Sequence, residues 1–338
     1  YNTAIGEQAL DNNTIASNNT AVGYQAGYGN TIGDNNTAVG YRALYLNDVG
    51  DRNVAVGMYT LHNLNPVSNA DMYNVAVGYS SMFTTATGID NTCIGNSTLF
   101  QNVTGNKNTA LGNRVLQNCT VSFNTGVGSQ ALYTNTTGTN NVAVGSDALY
   151  YITTASSNTA IGTSASYDLT TGERNTSIGH RAGRNLSTGS DNISIGYQAY
   201  PSATAANGQC TLGNTSITNL RCNDTTISAL SDARDKTNVV DIPLGLDFIN
   251  KMRPVAFDWD RRDGSFAGKK DFGFIAQELK TIQDETVYAE HLRLVHDENP
   301  EKLEADPMKT YPVLVKAIQE LSAKVEELQT EINTLKGN

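Results

Sequence analysis

The sequence predicts a mainly β protein: a β-solenoid of 17-residue repeats, then a small α+β domain that ends in a coiled-coil helix. Two observations support this prediction. A motif of the type Asn-Thr-Ala-Ile-Gly returns throughout residues 1–213. The composition then changes, because residues 1–230 contain 8 Lys+Arg and 12 Asp+Glu, whereas the remaining 108 residues contain 15 and 21. The chain of 338 residues is therefore expected to divide into a repeat region and a charged C-terminal region.

Thirteen closing glycines mark the repeat. Ten of the twelve intervals between them are 17 residues long, one is 16 and one is 21. A register kept over this length is typical of stacked repeat architectures, in which each unit contacts its neighbours. The glycines are Gly6, Gly23, Gly40, Gly57, Gly78, Gly95, Gly112, Gly128, Gly145, Gly162, Gly179, Gly196 and Gly213.

The residues before each closing glycine predict a short strand. The positions one and three before it are apolar or β-branched, and side chains two apart share a strand face. We therefore assign these positions to the inside of the coil. The small residue between them, such as Ala21 or Cys93, is assigned to an outer face against which another backbone packs.

The rest of each unit predicts a second short strand, often ending in Ala-Leu, and two turns. The closing glycine supplies a positive φ, and the asparagine that opens the motif tolerates the left-handed region. Stacked asparagines, such as Asn19 and Asn36, are expected to form hydrogen-bonded ladders. The interval of 21 residues predicts a loop around Leu64 to Asp71 that bulges from one turn.

Residues 19–27, Asn-Thr-Ala-Val-Gly-Tyr-Gln-Ala-Gly, resemble the head repeats of YadA-like trimeric adhesins. The resemblance covers residues 1–213 and implies a trimeric β-solenoid, a parallel β-roll in a homotrimer, although the adhesin heads mostly use a shorter unit. The repeats are either a shaft or a ligand-binding head. Tyrosines after the glycine can stack on sugars, but a tyrosine ladder more often serves packing, which favours the shaft. These tyrosines are Tyr24, Tyr41, Tyr79 and Tyr197.

The charged region is predicted to contain a connector at 214–230, an α+β domain at 231–310 and a C-terminal helix at 311–338. In that helix, apolar residues recur at alternating spacings of four and three over three heptads, which is the a/d seam of a coiled coil. β-branched residues at a with Leu at d favour two strands in isolated peptides, so the seam itself does not predict a trimer. The seam consists of Leu314, Ile318, Leu321, Val325, Leu328, Ile332 and Leu335.

The α+β domain is predicted to contain two helices and two strands. Pro243 to Met252 forms a short helix stopped by Pro254, and Val255 to Trp259 forms a strand. Asp271 to Leu279 opens the next helix, and Leu292 to Val295 forms the second strand.

The junction at residues 231–236, Ser-Asp-Ala-Arg-Asp-Lys, places a serine hydroxyl five residues before a lysine amine. These are the minimum groups for a Ser-Lys nucleophile and base. With Gly-Phe-Ile-Ala-Gln-Glu at 273–278 and the start of the last helix, the junction resembles the C-terminal intramolecular chaperone domain of phage endosialidases and other tail fibres. The resemblance implies a self-cleaving peptidase that assists trimerisation. It implies Ser231 as nucleophile, Lys236 as base and Leu230-Ser231 as the scissile bond.

This chemistry requires a neutral amine that can take the hydroxyl proton. An ordinary lysine, with a pKa near ~10.4, is protonated at neutral pH, and burial lowers lysine pKa values. If trimer assembly buries Lys236, cleavage reports correct assembly. The alternative is that Ser231 caps a helix or turn while Lys236 is solvated. Spacing alone favours that alternative, whereas the surrounding motifs favour self-cleavage, with Asp232 and Arg234 in a local positioning role.

Composition argues against several partners and cofactors. The net charge of -10 and the pI of about 4.9 disfavour a phosphate-binding surface, so no nucleic acid partner is expected. No apolar run reaches membrane-spanning length, so no membrane insertion is expected. The four cysteines form no CxxC pair and have no histidine at metal-ligand spacing, so no metal or cofactor is predicted. They are expected to be small buried residues in a reducing compartment: Cys93, Cys119, Cys210 and Cys222.

The resulting hypothesis is a homotrimeric viral, phage-type tail fibre or spike that attaches to a host surface receptor, for which a glycan is a candidate. It would be made in the host cytoplasm and carried on the virion. Its C-terminal domain would register three chains and then cleave itself, with no external substrate. The alternative is a cell-surface trimeric adhesin whose C-terminal domain trimerises without cleaving. A third class, a sugar-degrading tail enzyme, requires a catalytic domain upstream of residue 1.

Overall fold

The chain folds into two compact units, residues 1–214 and residues 215–338. The first unit contains the repeats, and the second contains the charged C-terminal region. The structure is a computed structural model, and the residues it describes are 1–217, 219–221, 231–262, 267–297, 299–301 and 303–337.

The first unit is a β-solenoid built on a 13-stranded parallel sheet. Each coil adds one strand, and equivalent repeat positions pair directly. The register holds across both irregular intervals, since Val54 pairs with Val75 and Thr109 pairs with Thr125. The strands of the sheet are β1 Thr3–Ile5, β2 Thr20–Val22, β3 Thr37–Val39, β5 Val54–Val56, β7 Val75–Val77, β8 Thr92–Asn96, β9 Thr109–Asn113, β10 Thr125–Ser129, β11 Val142–Val144, β12 Thr159–Ile161, β13 Thr176–Ile178, β14 Ile193–Ile195 and β15 Cys210–Leu212, and the separate short pair is β4 Gly50–Asp51 with β6 Ala70–Asp71.

The predicted assignment of the strand faces is wrong. The small residue in the middle of each strand is buried, as at Ala21 and Ala55, both 0% exposed. The flanking positions lie outside, with Ile5 59% and Leu212 49% exposed. A small side chain is required inside because leucines of the following segment fill the same narrow interior. The positions one and three before each closing glycine therefore form a continuous outer surface, here called the strand face.

The segment after each glycine is a turn segment rather than the predicted second strand, throughout the described coils. Left-handed residues stand two and four positions after the glycine, as at Arg42 with φ 50° and Leu44 with φ 54°. These φ values break the alternation of a strand, so that neighbouring Ala43 and Leu44 are both buried, at 0% and 1% exposed. The Leu44 N–H donates to Thr60 O in the next coil at 2.9 Å. Each coil therefore has one strand and one hydrogen-bonded turn segment around a shared core.

The predicted asparagine ladder is present. The backbone N–H of Asn19 donates to Asn2 Oδ1 at 2.9 Å, and that of Asn36 donates to Asn19 Oδ1 at 2.8 Å. Asn19 Nδ2 also donates to Gly33 O at 2.8 Å. The left-handed residue, however, is the one before the asparagine, as at Asn18 with φ 61°. That part of the prediction is wrong, because the opening asparagine uses its side chain to bridge coils rather than to make the turn.

The closing glycines have the positive φ that the sequence predicts, with 130° at Gly6 and 134° at Gly145. A Cβ on Gly145 would lie 2.6 Å from the carbonyl oxygen of Gly162 in the next coil. No side chain fits at that distance, so the close stacking of coils requires glycine at this position.

The interval of 21 residues is a bulging loop, as predicted. Leu64 and Met72 are buried at its two ends, at 0% and 1% exposed, whereas Val67 at its tip is 97% exposed. The strands before and after the loop, β5 and β7, remain paired in the common register. The insertion is therefore accommodated outside the stack.

The second unit has the predicted α+β character and contains two antiparallel pairs, β16 with β17 and β18 with β19. A 3-10 turn precedes α1, and another precedes α4. In chain order, the elements are the 3-10 turn Ala233–Asp235, α1 Leu246–Ile249, β16 Val255–Asp258, β17 Lys270–Gly273, α2 Ala276–Asp284, α3 Ala289–Leu292, β18 Val295–His296, β19 Glu304–Ala305, the 3-10 turn Pro307–Thr310 and α4 Tyr311–Lys336.

Some of these elements differ from the predictions. The first helix is limited to Leu246–Ile249, and β17 at Lys270–Gly273 precedes the predicted helix at 276–284. Leu292 ends α3 instead of starting a strand, because its carboxyl-side neighbour Arg293 is left-handed, with φ 44°, and stops the helix.

One side of α4 packs into the core of this unit. Val313 and Ala317 are buried, and Val313 packs with Phe248 and Leu279. Glu320 Oε2 accepts the backbone N–H of Leu246 at 2.8 Å, which satisfies a free donor at the start of α1. The helix is therefore anchored at its amino-terminal half.

The cysteines divide into two environments. Cys93 and Cys119 are buried, and burial raises the pKa of the Cys93 thiol and raises that of Cys119 to about 11. The prediction is wrong for Cys210, which is exposed because it occupies the strand face. Cys222 lies outside the described residues.

Candidate functional site

Ser231 and Lys236 lie together at the start of the chaperone-like region. Lys236 Nζ donates to Ser231 Oγ at 2.6 Å and to the Ser231 carbonyl oxygen at 3.2 Å. Both residues are exposed in the single chain. The other predicted participant, Leu230, lies outside the described residues.

A 3-10 turn brings the two side chains together. Asp232 caps the turn, since its Oδ1 accepts the Arg234 N–H at 2.9 Å. The turn then returns the chain, with the Lys236 N–H donating to Ala233 O at 3.2 Å. The spacing of five residues is therefore bridged by local backbone geometry.

Asp232 and Arg234 hold this turn through an ion pair. Arg234 Nη2 donates to Asp232 Oδ2 at 2.6 Å, and Nε donates to Oδ1 at 3.0 Å. The side-chain hydrogen bond from Arg234 lowers the pKa of the Asp232 carboxyl below its usual value. The two residues therefore position the turn, while Lys236 remains available to Ser231.

The contact between Lys236 and Ser231 has the geometry of a nucleophile and base pair but the protonation of a resting state. In the exposed pair the ammonium donates and the hydroxyl accepts. For catalysis the direction must reverse, because a neutral amine has to accept the hydroxyl proton. Burial of the amine favours that neutral form.

The seam of α4 is solvent-exposed in the single chain. Ile318 is 66% exposed, Leu328 57% and Leu335 77%. A row of apolar side chains at a/d spacing that packs on nothing within its own chain is the surface a coiled-coil partner covers.

The turn segments contain aromatic rows that the sequence analysis missed. The position five after the glycine holds a stacked row in which Tyr45 and His62 have ring centroids 5.0 Å apart, and His62 and Phe83 4.9 Å apart. Burial lowers the pKa of His62 in this row. The signal was available, because aromatic residues recur five positions after the glycine in Tyr28, Tyr45, Phe83, Phe100, Tyr133, Tyr150 and Tyr167.

Neither a metal centre nor a membrane-spanning helix is seen among the described residues. No group of three or more His, Cys, Asp or Glu side chains there is arranged to hold a metal ion. The helices described include none with both the length and the apolar character to cross a bilayer.

Fold and site together define a repeat-built β-solenoid protein with a C-terminal α+β unit that contains a Ser-Lys contact. Residues 231–288 match the family model Peptidase_S74, described as chaperone of endosialidase. This family consists of self-cleaving chaperone domains. The second unit therefore carries an endosialidase-type chaperone domain, which follows a solenoid of the kind that the adhesin-head resemblance implies. No curated protein and no solved structure matches the chain.

Proposed function

We propose that this chain is a phage-type tail fibre or spike protein whose C-terminal unit assembles three copies and then cleaves itself from them at Leu230-Ser231. The observation that supports this most directly is the 2.6 Å contact between Lys236 Nζ and Ser231 Oγ. It lies at the first residue of the segment that matches the chaperone family.

The cleavage is an attack on the preceding peptide bond. Ser231 Oγ gives its proton to Lys236 and attacks the carbonyl carbon of Leu230. Lys236 then returns the proton to the departing Ser231 nitrogen, so that an ester joins Leu230 to Oγ. Water hydrolyses this ester and leaves a carboxylate on Leu230 and a free amine and hydroxyl on Ser231.

Assembly supplies the activation in this proposal. Both side chains of the pair are exposed in the single chain, where an ammonium is favoured. Packing of three copies around the exposed seam of α4 places residues 231–310 of three chains side by side. Burial of Lys236 there favours the neutral amine, so cleavage follows assembly.

Two surfaces support the homotrimer. The strand face is apolar and extends along a 13-stranded sheet, and the seam of α4 is apolar and exposed. Parallel strand arrays form slowly and expose edges during folding, so early alignment by a coiled coil prevents mispairing. The trimer partners are copies of this chain, because identical repeats present identical faces at each coil.

The mature particle in this proposal is a trimer of the solenoid, located on the virion and used for attachment to a host surface receptor. The support is the combination of a chaperone domain of the endosialidase type with a repeat region whose turn segments display aromatic rows. Repeats from three chains offer the same surface three times, which favours attachment through multivalent contacts.

The test is the intact mass of the denatured protein after expression, measured beside a Ser231→Ala variant. We expect two fragments from the parent that meet at Leu230-Ser231, and one full-length chain from the variant. Asp235→Ala is the matched control, because it changes a neighbouring residue of the same turn and keeps both proposed reactants. A parent chain that stays uncut while trimeric would contradict the proposal.

A further inference from the structure

One ring in the aromatic region is oriented differently from its neighbours. Tyr59 crosses Tyr41 at 88° and Tyr79 at 78°, with centroids 5.3 Å and 6.5 Å away. It also crosses His62 at 65° and Phe83 at 80°. Tyr59 therefore bridges two aromatic rows, the one directly after the glycine and the one five residues after it.

The rings of the rows cover one another, whereas Tyr59 meets its neighbours at steep angles. Tyr24 and Tyr41 are parallel to within 16°, and His62 and Phe83 to within 15°. A ring that lies flat across two rows of ring edges offers its face as a platform. Such faces bind the apolar side of a sugar ring, as they bind other flat apolar groups.

Arg42 lies beside this platform at the equivalent position of the preceding coil. Its guanidinium lies 5.3 Å from the Tyr41 ring centroid and 5.1 Å from that of Tyr45. Arg42 Nε donates to Gln25 Oε1 at 2.7 Å. This bond fixes the guanidinium plane and leaves its two terminal nitrogens to bind a carboxylate in the bidentate geometry that arginine favours.

The charge of this surface is opposite to that of the protein. The turn segments at 24–29, 41–46, 58–63 and 79–84 contain no Asp or Glu, and Arg42 is their single Lys or Arg, in a chain of net charge -10. We call these four segments the Tyr59 surface. Its charge is complementary to an anion and not to another copy of an acidic chain.

A second aromatic cluster in the solenoid serves as an internal comparison. Tyr151 crosses Tyr150 and Tyr167 at 81° each, as Tyr59 crosses its own neighbours. At the position equivalent to Arg42, however, this cluster has Asp147, which raises the pKa of Tyr150 together with burial and the neighbouring tyrosines. The two clusters share ring geometry and differ in the sign of the charge.

We propose that the Tyr59 surface binds an acidic polysaccharide, with a sugar ring on the face of Tyr59 and its carboxylate on the terminal nitrogens of Arg42. This inference deepens the proposed attachment function and rests on it. The turn segment lies beyond the bend at each closing glycine, so it is a different side of the coil from the strand face.

The test uses dextran and carboxymethyl dextran, which share a backbone and differ in carboxylates, with binding to the full-length chain measured by calorimetry. Arg42→Gln and Tyr59→Ser are the variants, since glutamine or serine occupies the same repeat position at Gln25, Gln130, Ser80 and Ser97. Each is expected to weaken binding of carboxymethyl dextran about tenfold, the loss of one charge-assisted bond or one stacking platform. Tyr151→Asn is the matched control and is expected to change nothing.

Several outcomes overturn the inference. They are equal binding of both dextrans, no binding of either, unchanged affinity in Arg42→Gln, and equal losses in Tyr151→Asn. A change of oligomeric state in Arg42→Gln, measured by sedimentation, would identify the surface as a contact between copies instead. Intact masses of the same samples report self-cleavage separately, so a failure here is distinct from a failure of the proposed function.

Discussion

The Ser231–Lys236 contact is made by a local turn, and its catalytic use depends on one property of Lys236, the capacity to give up a proton. Arginine keeps the positive charge and the hydrogen-bonding reach but remains protonated. We expect Lys236→Arg to slow self-cleavage by about a thousandfold, the usual size of a general-base contribution. The measurement is the fraction of cleaved chain against time after refolding. Cleavage at the parental rate would show that Lys236 acts only as a charge.

The glycine column is a second property at the scale of the residue. Gly145 has φ 134°, and a Cβ there would lie 2.6 Å from Gly162 O. Backbone strain and the clash together predict that Gly145→Ala lowers the free energy of unfolding by at least about 3 kcal/mol. The measurement is the denaturant midpoint of the solenoid.

Gly208→Ala is the matched control for this substitution. Gly208 also has a positive φ, 66°, but a Cβ there meets no atom within 4 Å. Only backbone strain applies, so the expected loss is about 1 kcal/mol. Equal losses in the two variants would show that the close approach of the coils does not matter.

At the scale of elements, the exposed half of α4 is where assembly is expected to begin. Leu328 is 57% exposed and Glu327 is also exposed, so replacing either changes little in a single chain. Three buried leucines at about 2 kcal/mol each make Leu328→Asn cost about 6 kcal/mol per trimer. We expect sedimentation equilibrium to show loss of trimer in Leu328→Asn and none in Glu327→Asn. Parental trimer content in Leu328→Asn would exclude the seam as a contact.

The strand face gives a separate prediction through Cys210. In a Cys222→Ser background, iodoacetamide at pH 8 should spare Cys93 and Cys119, because both are buried and their raised pKa values keep the thiols protonated. Cys210 is exposed in the single chain and should react in the Leu328→Asn chain. In the assembled parent its strand face is covered, so its reaction should be at least about tenfold slower. Equal rates would place the strand face outside the interface.

The errors in the elements have a common physical origin. Alternation correctly located each strand, but it does not say which face is inside, and the tall β-branched side chains suggested the wrong one. The left-handed residues Arg42 and Leu44 carry side chains that rarely adopt such φ values, so no residue type announced that the second segment is a turn. Glycine at the closing position did announce its own conformation.

At the scale of the whole molecule, the repeat period was sufficient to predict a parallel stack, because a fixed interval allows one register only. The bulge at 64–71 and the 16-residue coil followed from the same count. The site was accessible from its residue types and from the family resemblance, whereas the 2.6 Å contact of Lys236 with Ser231 depends on the Asp232 cap, which spacing alone does not show. The Tyr59 surface escaped notice because its rings come from different coils.

The central claim is that three chains assemble and then lose their C-terminal units. The measurement that tests both parts together is the native mass of the purified particle. The account predicts three copies of residues 1–230 without residues 231–338, and three uncut chains in the Ser231→Ala variant. A parent particle that is a single chain, or a trimer that keeps every C-terminal unit, would contradict it.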